Sequence, residues 1–200
     1  ALVSQMTVAE KINQLHDTAP AISRLELPSY NYWNEALHGV MASGTTMFPS
    51  ATAIASTWNR SLISKLGTII GDEARVLNNT QNKGLSYWSP TLNIYRDPRW
   101  GRADESYSED PYLVGQVGEQ FIKGMQGDDP KYLKTVSTPK HFLANNSESD
   151  RRSGKAVAAC DRPSPASHRA AVICCYGLAC WALFWRSANS GFPAVSTPCT

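Results

Sequence analysis

Apolar residues recur at helical spacing in three stretches of the chain. Ser61–Asn78 and Pro111–Met125 each carry an apolar side chain every three or four positions, and Gly127 follows the second stretch as a stop signal. Near the amino end, Thr7-Val-Ala-Glu10 forms a capping box, in which side chains satisfy the first backbone N–H groups of a helix. The pattern predicts three helices, the first with one apolar face of Val8, Ile12 and Leu15, and a further Ala-rich helical stretch follows Pro49.

Two short apolar runs are typical of buried strands. Leu85–Trp88 precedes a loop rich in charged and aromatic side chains, and Leu133–Thr138 leads directly to Lys140-His141. Strands that alternate with helices, with polar side chains after each strand, indicate a parallel α/β architecture. Three or four βα units are recognisable, which is too few to close an eight-stranded barrel. A partial barrel and an open sheet both fit this count.

Composition divides the chain into two unlike parts. Residues 1–150 hold 16 acidic residues and 13 Lys and Arg, whereas residues 151–200 hold one acid, six bases and all five cysteines. The net charge of +2 therefore averages two opposite balances and does not indicate a nucleic-acid partner. We interpret residues 155–200 as a non-homologous tail that was read out of frame or through an intron.

Other interpretations fit the tail less well. Ala170–Trp185 is a run of 16 residues without a charge, which is shorter than the ~20 apolar residues of a membrane helix, so a membrane anchor is a minor alternative. Cys174, Cys175 and Cys180 form no CxxC pair, and His168 stands at no ligand spacing, which argues against a zinc site. We therefore expect no metal.

The stretch Gly84–Pro111, which contains the loop after the strand Leu85–Trp88, concentrates residues that are suited to chemistry. Arginines, acids and aromatic side chains are crowded together there, and folding alone does not require so many opposed charges in one loop. Arginines and carboxylates hold hydroxyl groups through charge-assisted hydrogen bonds, and aromatic faces pack against sugar rings. These residue types predict a site for a sugar or another polyol.

Four motifs then occur in order: Asn34-Glu-Ala-Leu-His-Gly39, Arg96-Asp-Pro-Arg-Trp-Gly-Arg102, Glu105-Ser-Tyr-Ser-Glu-Asp-Pro111 and Lys140-His-Phe142. Together they resemble the N-terminal barrel domain of family 3 glycoside hydrolases, the exo-acting β-glucosidases and β-xylosidases. The resemblance runs from about residue 4 to about residue 154. It implies that residues 1–154 form the first half of a parallel (β/α)8 TIM barrel and that no cofactor is needed.

The resemblance also implies roles for single residues. Glu35, Arg102, Lys140 and His141 are expected to hydrogen-bond the hydroxyls of the non-reducing sugar. Glu105 is expected to pair with an arginine and fix its orientation, although a surface salt bridge is the alternative. His38 precedes a glycine and is interpreted as a structural turn residue. Three aromatic residues could either stack on the sugar or pack beneath a loop, namely Tyr30, Tyr32 and Trp33.

The catalytic carboxylates of the family are not identified in this chain. A retaining glycosidase needs two carboxylates about 5 Å apart, one as nucleophile and one as acid/base. In the family the nucleophilic aspartate lies in a Ser-Asp-Trp-like segment well after the Lys-His motif, and the acid/base follows later. Neither segment occurs here. We therefore assign no catalytic residue, and we expect this chain to be inactive.

Substrate preference depends on Glu35. Many β-glucosidases of the family have Asp at this position, and the form found here is more similar to the xylosidase branch. The resemblance thus implies an exo-acting retaining β-xylosidase that acts on oligosaccharides or aryl β-glycosides, with a β-glucosidase as the alternative. A non-catalytic sugar-binding or membrane-anchored protein is the alternative from another class. We expect an extracellular location, since polysaccharide-degrading relatives are mostly secreted.

Overall fold

The computed structural model describes residues 2–141 together with Asn145 and Glu148. The tail from residue 155, with its cysteines, His168 and uncharged run, lies outside the described residues. Short 3-10 helices occupy Leu2–Gln5, Ser23–Leu25 and Ala103–Glu105. The helices and strands are α1 (Val8–Asn13), α2 (Ala51–Ala55), α3 (Arg60–Gln81) and α4 (Pro111–Gln126), and β1 (Thr18–Ala19), β2 (Tyr30–Asn31), β3 (Ser86–Tyr87) and β4 (Val136–Ser137).

The predicted helices are confirmed, including α2 in the Ala-rich stretch, and α1, α3 and α4 each begin at a polar side-chain cap. In α1, Thr7 Oγ1 accepts a hydrogen bond from Glu10 N at 3.2 Å and Glu10 Oε2 accepts one from Thr7 N at 2.7 Å, which completes the capping box. Asn59 Oδ1 caps α3, and Asp110 Oδ1 accepts from the second residue of α4. Because a cap satisfies otherwise unpaired N–H groups, these side chains fix where the helices start.

The side chains of the predicted apolar face of α1 are exposed in the structure. Val8, Ile12 and Leu15 have 72%, 55% and 86% of their surface in solvent. The described contacts of α1 are polar instead. Arg24 hydrogen-bonds the Glu10 carboxylate, and this bond together with the backbone N–H of Thr7 lowers the pKa of Glu10 to about 2. The periodicity therefore identified an apolar face of α1, but it gave no information on whether other residues bury that face.

Helices α3 and α4 cross at glycines, and their backbones come close together. A Cβ atom at Gly124 would lie 2.3 Å from the carbonyl oxygen of Ser64, and one at Gly67 would lie 2.5 Å from that of Phe121. Such distances leave no room for a methyl group. The close crossing therefore requires glycine at positions 67 and 124. The core packed around the crossing includes Ile63, Ile70, Phe121 and Met125.

Strands β3 and β4 pair in parallel, with α4 in the connection between them. Their register is Ser86 opposite Val136 and Tyr87 opposite Ser137. The ladder continues as a parallel bridge between Thr91 and Lys140. This pairing is the parallel βαβ connection that the sequence predicted, in a structure that is rich in helix and has few strands.

Two features of the sheets were not predicted. Among the described residues β3–β4 is the one parallel pair, fewer than the three or four βα units expected. The other pair, β1–β2, is antiparallel, with Thr18 opposite Asn31 and Ala19 opposite Tyr30. Strands β1 and β2 were missed because two residues are too short to show an alternating pattern and, unlike β3 and β4, they were not marked by a recognised apolar run.

The glycine crossing predicts opposite effects for two substitutions in the same helix. Gly124→Ala should lower the free energy of unfolding by about 1–3 kcal/mol, because its methyl group overlaps the α3 backbone. Gly115→Ala should raise it by about 0.5–1 kcal/mol, since a Cβ there meets no atom within 4 Å and alanine favours the helix. Urea unfolding followed by circular dichroism would measure both. Equal effects of the two substitutions would contradict the crossing.

Candidate functional site

Four charged side chains from three separate segments form a line of alternating sign. Lys140 Nζ lies 3.0 Å from Glu35 Oε2 and 3.8 Å from Glu105 Oε2. Arg102 donates two hydrogen bonds to Glu105, from Nε to Oε1 at 2.6 Å and from Nη2 to Oε2 at 2.7 Å. The structure therefore brings together three of the predicted sugar-binding residues and places Glu105 between their two cations.

The backbone on both sides of Glu35 is anchored. Asn34 Nδ2 donates to the carbonyl of Ser86 at 2.9 Å, and the Asn34 carbonyl accepts from Trp88 N at 2.8 Å. Ala36, the next residue, is fully buried. The carboxylate itself is held at both oxygens, because Trp33 Nε1 donates to Oε1 at 3.2 Å while Lys140 contacts Oε2. Glu35 is thus fixed in position and in orientation.

The segment that carries Arg102 and Glu105 is fixed by burial of the residues that follow it. Arg102 precedes the 3-10 helix Ala103–Glu105, and Ser106 and Tyr107 directly after it are buried. Thr52 Oγ1 of α2 donates to the Ser106 carbonyl at 2.8 Å. Because the carboxyl end of the short helix is anchored, Glu105 is held where Arg102, three positions earlier, can pair with it.

Lys140 is placed by the parallel ladder. Its backbone N donates to the Pro90 carbonyl at 3.0 Å, and its carbonyl accepts from Leu92 N at 2.7 Å. Thr91 lies between these partners, and its Oγ1 donates to Glu105 Oε2 at 3.2 Å. Thr91 was not identified from the sequence. Only the register of the parallel pair, which the sequence does not show, places Thr91 beside Lys140.

The charges of Glu105 and Arg102 stabilise each other. Burial is the largest single effect on Glu105 and opposes its ionised form, but the hydrogen bond and charge of Arg102, with smaller help from Lys140 and Thr91, hold the pKa of Glu105 below its usual value. The hydrogen bond to Glu105 raises the pKa of Arg102 further. Both groups are therefore charged near neutral pH, and Glu105 is poorly suited to be a proton donor.

A cavity of about 630 Å³ opens beside this cluster. Glu35, Arg102, Glu105 and Lys140 line it on one side, and the loop of residues 37–47 provides most of the rest. His38, at the start of this loop, also lines the cavity. It holds the turn by accepting a hydrogen bond from Phe48 N at 2.7 Å through its carbonyl, while its ring Nδ1 lies 3.1 Å from the Phe48 carbonyl.

His141 is placed differently from the other predicted residues. It does not belong to the cavity lining found among the described residues. Its ring Nδ1 lies 2.7 Å from Asn93 Oδ1, and its backbone N donates to the same oxygen at 3.1 Å. A direct contact of His141 with sugar therefore stays a prediction, and Asn93 is a neighbour that sequence reasoning missed.

The aromatic residues near Glu35 divide into two groups. Tyr30 packs internally, because its hydroxyl accepts hydrogen bonds from Leu85 N and Ser86 N at 3.0 and 3.1 Å and its ring contacts Tyr32 edge-on. Trp33 stacks on Trp88 with ring centroids 5.3 Å apart, and 56% of Trp33 is exposed. The partly exposed Trp33–Trp88 stack lies next to the charged cluster, because Trp33 hydrogen-bonds Glu35. Trp88 was not identified as a candidate from the sequence.

The part of the chain that the structure describes contains no group of three or more His, Cys, Asp or Glu side chains placed to hold a metal ion. It also contains no helix with the length and apolar character needed to cross a membrane. The polar cluster beside the cavity is therefore the candidate site.

Comparison with known proteins identifies the family. The sequence profile described as the glycosyl hydrolase family 3 N-terminal domain matches residues 2–169. The chain belongs to glycosyl hydrolase family 3. This confirms the resemblance seen in the four motifs. The profile match extends past Gly154, and the boundary between domain and tail at that residue stays a prediction.

Relatives and solved structures of family 3 cover the same part of the chain. The exo-1,4-beta-xylosidase bxlB of Emericella nidulans is 41% identical over 160 residues, which are 74% of this chain and 21% of that protein. Beta-D-xylosidase 3 of Arabidopsis thaliana is 41% identical over 157 residues, 72% of this chain and 20% of its own length. The chain thus spans about one fifth of these curated relatives.

Two solved structures show the same likeness in three dimensions. One is the exo-beta-xylosidase XlnD in complex with a xylobiose aziridine probe, with a TM-score of 0.65, 36% identity and coverage of 74% of this chain and 21% of that chain. The other is beta-glucosidase 3B from Thermotoga neapolitana in complex with α-D-glucose, with a TM-score of 0.58, 29% identity and coverage of 74% and 23%. Both xylosidases and glucosidases therefore share this fold.

The position of Glu105 predicts a pH-dependent contribution to stability. Glu105→Gln should destabilise the chain by about 1–2 kcal/mol at pH 7, because a neutral amide replaces the carboxylate that Arg102 donates to. The lowered pKa means that the wild-type advantage is complete above the ordinary glutamate value of 4.5 and is lost as the pH falls through the folded-state value.

Urea unfolding of wild type and variant from pH 7 down to about pH 3 tests this, since their difference isolates Glu105 from other carboxylates. Glu109→Gln, an exposed position in the same loop, is the matched control. A gap between wild type and Glu105→Gln that stays constant over this range would contradict the role of the charge.

Proposed function

We propose that the cavity binds the non-reducing xylosyl unit of a β-xyloside, as part of an exo-acting retaining β-xylosidase of family 3. The observation that carries this proposal is the convergence of Glu35, Arg102, Glu105 and Lys140 on one cavity. The motif resemblance implied sugar-binding roles for three of them, and Glu35 and Lys140 lie 105 positions apart in the sequence.

The alternating charges suit the hydroxyls of a sugar. Each hydroxyl donates one hydrogen bond and accepts others, so neighbouring hydroxyls can contact a carboxylate and an ammonium at the same time. Glu35 and Lys140 are 3.0 Å apart and offer such a pair. Hydrogen bonds to charged groups are stronger than those between neutral groups. Glu105 keeps Arg102 and Lys140 in place, so that a ligand meets donors whose positions are already fixed.

The length of Glu35 supports a preference for xylose over glucose. Its side chain is one methylene longer than the aspartate of many family β-glucosidases. We infer that the carboxylate, held by Trp33 and Lys140, crowds the position that the C6 hydroxymethyl group of glucose would need. The xylosidase relatives support this choice. The glucose complex of the Thermotoga neapolitana enzyme favours the alternative, a β-glucosidase.

We further propose that these 200 residues bind sugar without hydrolysing glycosides. A retaining enzyme needs a free nucleophile and a proton donor about 5 Å apart. Glu35 and Glu105 are the carboxylates that line the cavity among the described residues, and each is paired with a cation. Neither is suited to these roles, and no Ser-Asp-Trp segment follows Lys140.

The remaining parts of the proposal concern fold and location. The β3–α4–β4 unit has the parallel connection from which (β/α)8 barrels are built, and we propose that residues 1–154 form the first half of such a barrel. The site then lies where barrel enzymes place theirs, at the carboxyl ends of the strands, as Lys140 does after β4. We also propose an extracellular location, since plant-type polysaccharides are found there.

Sugar binding provides the direct test. Titration of the 15N-labelled chain with D-xylose should shift amide signals saturably, with weaker binding of D-glucose. Glu35→Asp should reduce the preference for xylose by about tenfold, because the shorter side chain makes room for the hydroxymethyl group. Glu119→Asp, in an exposed ion pair on α4, is the matched control and should leave the ratio unchanged. The xylosidase assignment fails if Glu35→Asp has the wild-type ratio, and the binding proposal fails if xylose causes no saturable shift.

Hydrolysis of an aryl β-xyloside tests the catalytic part of the proposal. The chain should release no aryl alcohol above the buffer blank, since it lacks a suitable carboxylate pair. The Emericella nidulans xylosidase, assayed in parallel, is the positive control. Turnover near the ~10 per second of an ordinary enzyme would contradict the proposal.

A further inference from the structure

The side chain of Asn93 holds His141 at two points. Its Oδ1 accepts from the backbone N of His141 at 3.1 Å and lies 2.7 Å from the ring Nδ1. We propose that Asn93 is a positioning residue that fixes His141 as the tautomer with hydrogen on Nδ1. The consequence for sugar recognition, given below, rests on the proposed function, whereas the tautomer itself does not.

The orientation of the Asn93 amide follows from its neighbours. Its Nδ2 donates to the carbonyl of Asn145 at 2.8 Å, and a carbonyl can only accept. On the other side, the backbone N–H of His141 can only donate, so it requires the amide oxygen. Exchanging the oxygen and nitrogen of the amide would break both hydrogen bonds. The oxygen of Asn93 therefore faces His141.

The ring proton is then determined by elimination. An amide oxygen has no hydrogen to donate, so a ring nitrogen 2.7 Å from it must be the donor. In a neutral imidazole one nitrogen carries the hydrogen and the other has a lone pair. With the hydrogen on Nδ1, the neutral ring has its lone pair on Nε2. His141 therefore offers an acceptor at Nε2, not a donor.

This choice matters for a polyol ligand. Lys140, the preceding residue, is a donor only, so Lys140 and His141 together provide one donor and one acceptor. A sugar hydroxyl can donate to Nε2 while another accepts from an ammonium. With the hydrogen on Nε2 instead, the pair would offer two donors and would not accept a hydroxyl proton. Asn93 thus decides the sense of the hydrogen bond that His141 makes.

Nitrogen chemical shifts of the histidine ring test the tautomer directly. Long-range 1H–15N spectra of the full 200-residue chain above neutral pH separate protonated from unprotonated ring nitrogens. The His141 signals are assigned by their loss in His141→Gln. Wild type should show hydrogen on Nδ1. Asn93→Ala should lose this preference, Asn93→Asp should keep it because a carboxylate oxygen still accepts, and Asn78→Ala, which removes an amide bonded to the Lys83 carbonyl, should not change it.

Each result decides one point. Hydrogen on Nε2 in wild type, or on Nδ1 in Asn93→Ala, overturns the proposal, and the wild-type result stands even if a variant fails to fold. A titration with D-xylose then tests the consequence, with about tenfold weaker binding expected for Asn93→Ala than for Asn78→Ala. If wild type has the Nδ1 tautomer but binds no xylose, the proposed function fails while the role of Asn93 holds.

Discussion

The rest of the site depends on the contacts that the Glu105 carboxylate makes with its two neighbouring cations. This carboxylate receives two hydrogen bonds from Arg102 and one from Thr91, and it lies within 4 Å of the Lys140 ammonium. Without it, the partly buried cations Arg102 and Lys140 would lie near each other with no negative charge between them, and like charges in such a place repel strongly. Glu105 therefore allows Arg102 and Lys140 to stand close together and still hold their side chains in one arrangement.

The fold supplies this arrangement through the register of one parallel pair. The bridge between Thr91 and Lys140 puts the Glu105 partner Thr91 beside the cation that Glu105 also contacts. Helix α4 lies in the connection between the two strands, and it packs closely on α3 around a shared core. Residues far apart in the chain thus become neighbours in the site, because the backbone ladder sets the positions from which their side chains extend.

Sequence reasoning succeeded where the signal was local. Helices α3 and α4 were predicted because their periodic patterns are long. The short sequence separation of Arg102 and Glu105 suggested an ion pair, which the structure contains, while its part in sugar binding stays a prediction. Sequence reasoning failed where the information lies in tertiary contacts. Thr91, Asn93 and Trp88 gain meaning only from the strand register and from residues that fold against them. For the same reason, the pattern of Val8 and Ile12 could not reveal whether the face is covered.

The alternation of charge along Glu35, Lys140, Glu105 and Arg102 leaves the cluster with no net charge. The fields of these four charges largely cancel beyond a few ångströms, so the cluster by itself exerts little attraction on a ligand that is still in solution. A neutral sugar does not depend on such attraction. Its encounter with the site is governed by diffusion and shape, and the rate should be nearly independent of ionic strength.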